Sequence, residues 1–76
     1  MNKTRREALQ SVYDIIEDAQ NTLETLKDEE EEYRDNMPEN LQNSERYEKA
    51  SDTVDALESA FDYLADVLDY IESAME

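Results

Sequence analysis

Between Ala50 and Met75, apolar residues recur in unbroken steps of three and four. Val54, Phe61, Leu68 and Met75 share one heptad position, and Ala50, Leu57, Leu64 and Ile71 share the other core position. Ala60, Val67 and Ala74, then Ala56, Tyr63 and Tyr70, extend the same side. At ~100° per residue these four positions sweep about 160°. The remaining arc carries Asp52, Asp55, Glu58, Asp62, Asp66, Asp69, Glu72 and Glu76, and no Lys or Arg follows Lys49. The pattern predicts one long helix over 44–75, apolar on one side and acidic on the other.

The first half repeats the pattern. Leu9, Val12, Ile16, Ala19, Leu23, Leu26, Glu30 and Tyr33 alternate by three and four, with Ala8, Ile15 and Thr22 on one flank and Tyr13 on the other. Thr4-Arg5-Arg6-Glu7 has the form of a capping box with Thr4 as N-cap, which predicts a helix over 4–35. Residues 36–43 break the pattern: Pro38 disfavours helix at Met37, and three Asn residues supply turn chemistry. Pro38 to Leu41 suits a single helical turn, and Ser44 suits the N-cap of the second helix.

So short a connection makes the two helices antiparallel neighbours. Core positions then pair with residue numbers summing to about 80, which sets Ala19 against Phe61 and Val12 against Leu68. Lys3, Arg5 and Arg6 come beside Glu72 and Glu76. The expected fold is all-α, an antiparallel two-helix coiled-coil hairpin in a single domain, 1–76. One partner helix covers only part of a 160° arc, so something else must cover Ile15, Tyr63, Val67 and Tyr70. A second copy would do so as a homodimeric four-helix bundle; a docked target is the alternative.

Composition then removes function classes. There are 22 acidic and 7 basic residues, a net charge of −15, and no Cys, His or Gly. The charge argues against direct nucleic-acid or anionic-membrane binding and points to basic partners, or to solubility alone. The usual zinc, haem and iron–sulfur ligands are missing, as are glycine-rich phosphate loops. No cofactor or metal is expected. No apolar run approaches a membrane span and the N-terminus lacks a signal-peptide core, so the expected location is the cytoplasm. The sustained heptads argue against the disorder that such a composition otherwise suggests.

Three features are candidates for recognition. Asp28 to Glu32 places five carboxylates near a helix C-terminus, where they oppose the dipole, with Glu30 on a core position. The bland alternative is a solvated network with Arg34, Arg46 and Lys49. The acid stripe of the second helix is the next. Spread over ~48 Å of hairpin, −15 gives about one charge per 3.2 Å, near the ~3.4 Å of a nucleic-acid strand. Here the alternative is a face that keeps the chain soluble. The third is the pair Tyr63 and Tyr70, which suit protein anchors or, equally, a dimer interface. Catalysis has little support, because no nucleophile–base pair and no cleft is indicated.

The segment Asp28 to Ala50 resembles a motif of small acidic proteins encoded by bacteriophages and prophages. The pattern is a Glu-rich run, an aromatic, then Asp-Asn-x-Pro-Glu-x-Leu-Gln, a small residue and Glu-Arg. Here it reads Glu29 to Glu32, Tyr33, Asp35 to Gln42, Ser44 and Glu45-Arg46, with Arg34 intervening. The resemblance covers the central third. It implies a helical hairpin of phage origin and brings no activity of its own, though phage origin favours a counter-defence role.

The functional expectation is therefore a non-enzymatic inhibitor that mimics nucleic acid. It would block the basic nucleic-acid-binding surface of a host defence protein, of restriction or CRISPR type. Asp52, Asp55, Asp62, Asp66, Asp69 and Glu72 are the expected phosphate surrogates and Tyr63 and Tyr70 the anchors, with Glu29, Glu31 and Glu32 as a second patch. The competing expectation is an assembly adaptor that binds a partner helix through the apolar arc.

Overall fold

The computed structural model describes all 76 residues. It is the expected all-α hairpin: α1 spans Lys3–Asp35, a 3-10 turn spans Glu39–Leu41, and α2 spans Glu45–Met75. The two helices pack side by side along a rod of about 60 × 14 × 13 Å. Neither helix is long and apolar enough to cross a membrane.

The helix ends follow from side-chain capping. Ser44 caps α2 as expected, its hydroxyl accepting the Tyr47 N–H at 3.2 Å while donating to the Leu41 carbonyl. Glu45 and Glu48 then sit in the first turn, where the dipole favours acids. At α1 the cap is Asn2, not Thr4: the Asn2 Oδ1 accepts the Arg5 N–H at 2.8 Å, so the helix begins earlier than the capping-box pattern predicts. Asn suits an N-cap at least as well as Thr, which explains why the earlier position wins.

The turn is made without any residue of positive φ, so it needs no Gly, and its three Asn residues stay out of the left-handed region. Asn36 and Met37 donate their N–H groups to Glu32 and Arg34 carbonyls at 3.0 and 3.2 Å. Pro38 ends the helical bonding and Leu41 N–H closes on the Pro38 carbonyl at 2.8 Å. Met37 folds inward and is one of only four buried residues, with Ala50, Val54 and Leu68. An unbranched Met plugs this end of the seam where a shape-specific side chain is not required.

On α2 the seam is the one expected. Ala50, Val54, Leu57, Phe61, Leu64, Leu68, Ile71 and Met75 are all buried or half-buried. On α1 the seam is rotated. Leu9, Ile16, Leu23 and Glu30 face inward as expected, but their companions are Tyr13, Gln20, Lys27 and Arg34, while Val12, Ala19, Leu26 and Tyr33 are exposed. The expected match of Ala19 with Phe61 is accordingly replaced: Gln20 Nε2 donates to the Phe61 carbonyl at 3.4 Å. The register itself holds to within one residue, since Gln20 with Phe61 and Arg6 with Met75 both sum to 81.

Polar contacts across the seam favour the rotation. The long stems of Tyr13, Gln20, Lys27 and Arg34 cover apolar surface while their polar tips reach the seam's edge. There Tyr13 meets Glu72 and Lys27 comes near Glu58, and Arg34 comes near Tyr47. Turning Val12, Ala19, Leu26 and Tyr33 inward instead would break the Tyr13–Glu72 and Gln20–Phe61 bonds across the seam. At the open end, Arg6 Nε donates to the Met75 carbonyl at 3.3 Å, so a cation poorly placed at the start of α1 is well placed at the end of α2. Of the three cations expected beside Glu72 and Glu76, Arg6 reaches that end of α2 through the Met75 carbonyl without an ion pair to either acid, and Lys3 pairs with Glu7 at 3.9 Å.

With so few buried residues, each seam side chain weighs heavily. Leu68→Ala is expected to cost roughly 2–4 kcal/mol and Ser44→Ala about 1 kcal/mol, both read from urea unfolding followed by circular dichroism.

Two opposed candidate binding surfaces

The antiparallel register sorts the exposed residues into two faces. Viewed down the rod, rows seven residues apart lie along one line, about 10.5 Å per step. One side of the seam receives Glu17, Glu24 and Glu31 from α1, and Glu58 and Glu72 from α2, with Asp55, Asp62 and Asp69 alongside. The other side receives Val12, Ala19, Leu26 and Tyr33, flanked by Ile15, and across from them Val67, Tyr63 and Tyr70. The hairpin is acidic on one face and apolar on the other.

Side-chain bonds identify the acidic face independently. Tyr13 Oη donates to Glu72 Oε1 at 2.9 Å. Its ionisation is raised above the ordinary 10.0, first by that bond and then by desolvation and by the charges of Glu72, Glu17 and Asp69. Lys27 pairs with Asp28 at 2.9 Å and Glu31 at 3.6 Å, and Arg34 with Asp35 at 3.0 Å and Glu31 at 4.0 Å. Both cations are held above their ordinary values, first by the bonds to Asp28 and Asp35 respectively. Midway along this face lies a shallow hollow of about 170 Å³ lined by Glu24, Lys27, Glu58, Phe61 and Asp62. Three carboxylates and Phe61 line it, with Lys27 tied to its own helix.

The structure brings together only some of the residues expected to act together. Asp55, Asp62, Asp69 and Glu72 lie on the acidic face. Asp52 and Asp66 lie on the outer back of α2. Tyr63 and Tyr70 are 72% and 78% exposed and belong to the apolar face, so the expected anchors do not flank the expected phosphate surrogates. Nor is the run Asp28 to Glu32 a patch. At ~100° per residue it wraps right round α1, which puts Glu31 on the acidic face, Glu32 on the outer back and Glu29 on the apolar side. Glu30 is half-buried in the seam.

Sequence reading missed Glu17, Glu24 and Glu58 as members of one surface. Their signal was present: Glu17, Glu24 and Glu31 repeat every seven residues, and the register sets Glu24 level with Glu58. No cluster of acidic side chains is drawn close enough to hold a metal ion, and of the 7 cations Lys3, Arg5, Arg6, Arg34, Arg46 and Lys49 lie toward the two ends of the rod, which leaves Lys27 alone beside the hollow. Comparison with protein-family models, characterised proteins and solved structures gives no match.

The Tyr13–Glu72 bond makes the fold sensitive to alkali. Because the folded phenol ionises above its unfolded value, the bond's contribution is complete below pH 10 and is lost as pH rises through the folded value. A spectrophotometric titration near 295 nm should show a late tyrosine ionisation, and Tyr13→Phe should remove that late step.

Proposed function

We propose that this chain is a non-enzymatic binding module that presents its acidic face to the basic, nucleic-acid-binding surface of another protein and competes there with nucleic acid. The observation that carries this reading is the segregation of charge. A face that served only solubility would carry mixed signs. Here carboxylates from both helices line one side in seven-residue rows, while Lys27 and Arg34 are turned into the seam and tied to neighbouring acids.

The charge density is lower than sequence length suggests. The rod is 60 Å long, so −15 amounts to one net charge per 4 Å, not 3.2 Å. That is slightly sparser than the ~3.4 Å spacing along one strand of a duplex. One hairpin therefore matches a single strand more closely than a duplex, and a groove that binds single-stranded nucleic acid is the better-fitting target for one acidic face. The turn's likeness to small phage proteins supports a bacterial host protein as the target, with a restriction or CRISPR nuclease as the counter-defence example. The acids expected to act are Asp55, Asp62 and Asp69, now joined by Glu17, Glu24 and Glu58.

The adaptor reading keeps one specific observation in its favour, the open apolar face with Ile15 68% exposed. The two readings differ in their response to salt. Binding through the acidic face should weaken steeply with added salt, because it releases counter-ions; docking through the apolar face should not. With a captured basic partner, Glu24→Gln, Asp62→Asn and Asp69→Asn combined should lower affinity by at least about tenfold, equivalent to ~1.4 kcal/mol. The same neutralisation at Asp52 and Asp66 should change it far less. Equal losses from both sets would mean that net charge alone is sensed, and an unchanged affinity would remove the acidic face from function.

A further inference from the structure

We infer that the apolar face is the interface with a second copy of this chain, and that Tyr63 and Tyr70 belong to that interface and not to target recognition. This inference is independent of the function proposed for the acidic face.

Three observations select a second copy as the occupant. The first is the area. A compact folded monomer of 8.9 kDa exposes about 4,800 Å². This chain exposes 5711 Å², an excess of about 900 Å². A standard protein interface buries ~800 Å² per partner. The second is the continuity of the patch. Apart from Met1, every large hydrophobic residue left exposed falls on this one face: Val12, Ile15, Leu26 and Tyr33 from α1, and Tyr63, Val67 and Tyr70 from α2.

The third is the rotated seam of α1. In a four-helix bundle each helix points its main apolar stripe at the bundle axis and gives one flank to each neighbour. In α1 that stripe runs through Leu9, Val12, Ile16, Ala19, Leu23 and Leu26, and the hairpin uses only one edge of it. The stripe is aimed diagonally, between α2 and a helix not supplied by the same chain. Small and large residues also alternate across the face, with Ala19 level with Tyr63 and Leu26 level with Ala56, as an interdigitating interface requires. Two such faces meeting leave both acidic faces outward, on opposite sides of the bundle.

Salt separates this assembly from target binding. Two chains of −15 repel, so screening should strengthen the dimer, whereas it weakens binding through the acidic face. The test is sedimentation equilibrium of the full chain at 0.05 and 0.5 M NaCl, with tyrosine nitration mapped by mass spectrometry across a dilution series. The expected result is a species of twice 8.9 kDa, tighter at high salt, in which Tyr63 and Tyr70 become reactive only on dilution. Ile15→Glu with Tyr70→Glu should raise the dissociation constant by roughly a hundredfold or more; Asp52→Asn with Asp66→Asn should not. Nitration of the unaltered chain keeps the test decisive even where the double Glu variant fails to fold. A helical monomer at high concentration and high salt overturns the inference. So does a dimer in which Tyr63 and Tyr70 react freely, or a monomer whose tyrosines are protected only by phosphatidylcholine vesicles.

Discussion

Leu9, Ile16 and Leu23 packed along the unbroken seam of α2 are the contact on which the rest of the molecule depends. These three residues are common to both ways in which α1 can face its partner. Their position fixes the axis about which α1 is turned, and the turning decides which residues become surface. Rotation toward Tyr13, Gln20, Lys27 and Arg34 brings the Tyr13 hydroxyl to Glu72, the Gln20 amide to the Phe61 carbonyl and Lys27 near Glu58, and leaves Val12, Leu26 and Tyr33 outside. One choice of rotation thus produces both faces.

That choice also shows how an acidic chain tolerates its own charge. Surface ion pairs are individually weak, and those of Lys27 and Arg34 are local to α1. Their larger effect is positional. They hold Lys27 and Arg34 at the edge of the seam, half-buried and tied to acids of their own helix, where the acidic rows of both helices converge. The Tyr13–Glu72 bond does the same without a cation, holding a carboxylate against a neutral donor.

The fold was legible because three levels of the sequence agree: heptads, an N-cap at Ser44, and one Pro in a run of Asn. The α2 seam was legible for the same reason, since its apolar residues admit only one inward face. The α1 seam was not. Apolar spacing favours Val12, Ala19 and Leu26, and only the interaction of Gln20 and Lys27 with the opposite helix decides otherwise. That interaction joins residues about 30 to 40 positions apart, and no local pattern reports it. The candidate site failed to emerge whole for a related reason. Asp62 and Tyr63 are neighbours in sequence, yet one ~100° step at the edge of a two-faced rod separates them onto opposed surfaces.

Because each face is written in the phase of the repeat, this architecture constrains how its lineage can change length. Deleting one residue between Leu9 and Leu23 would turn the rest of α1 by about 100° and exchange part of one face for the other. Adding seven residues to each helix at matching levels would leave both faces in place and lengthen the rod by about 10.5 Å. Descendants of this chain should therefore differ in length by paired heptads placed symmetrically about the turn, and single-residue insertions should be confined to Asn36 to Asn43, where no phase is carried.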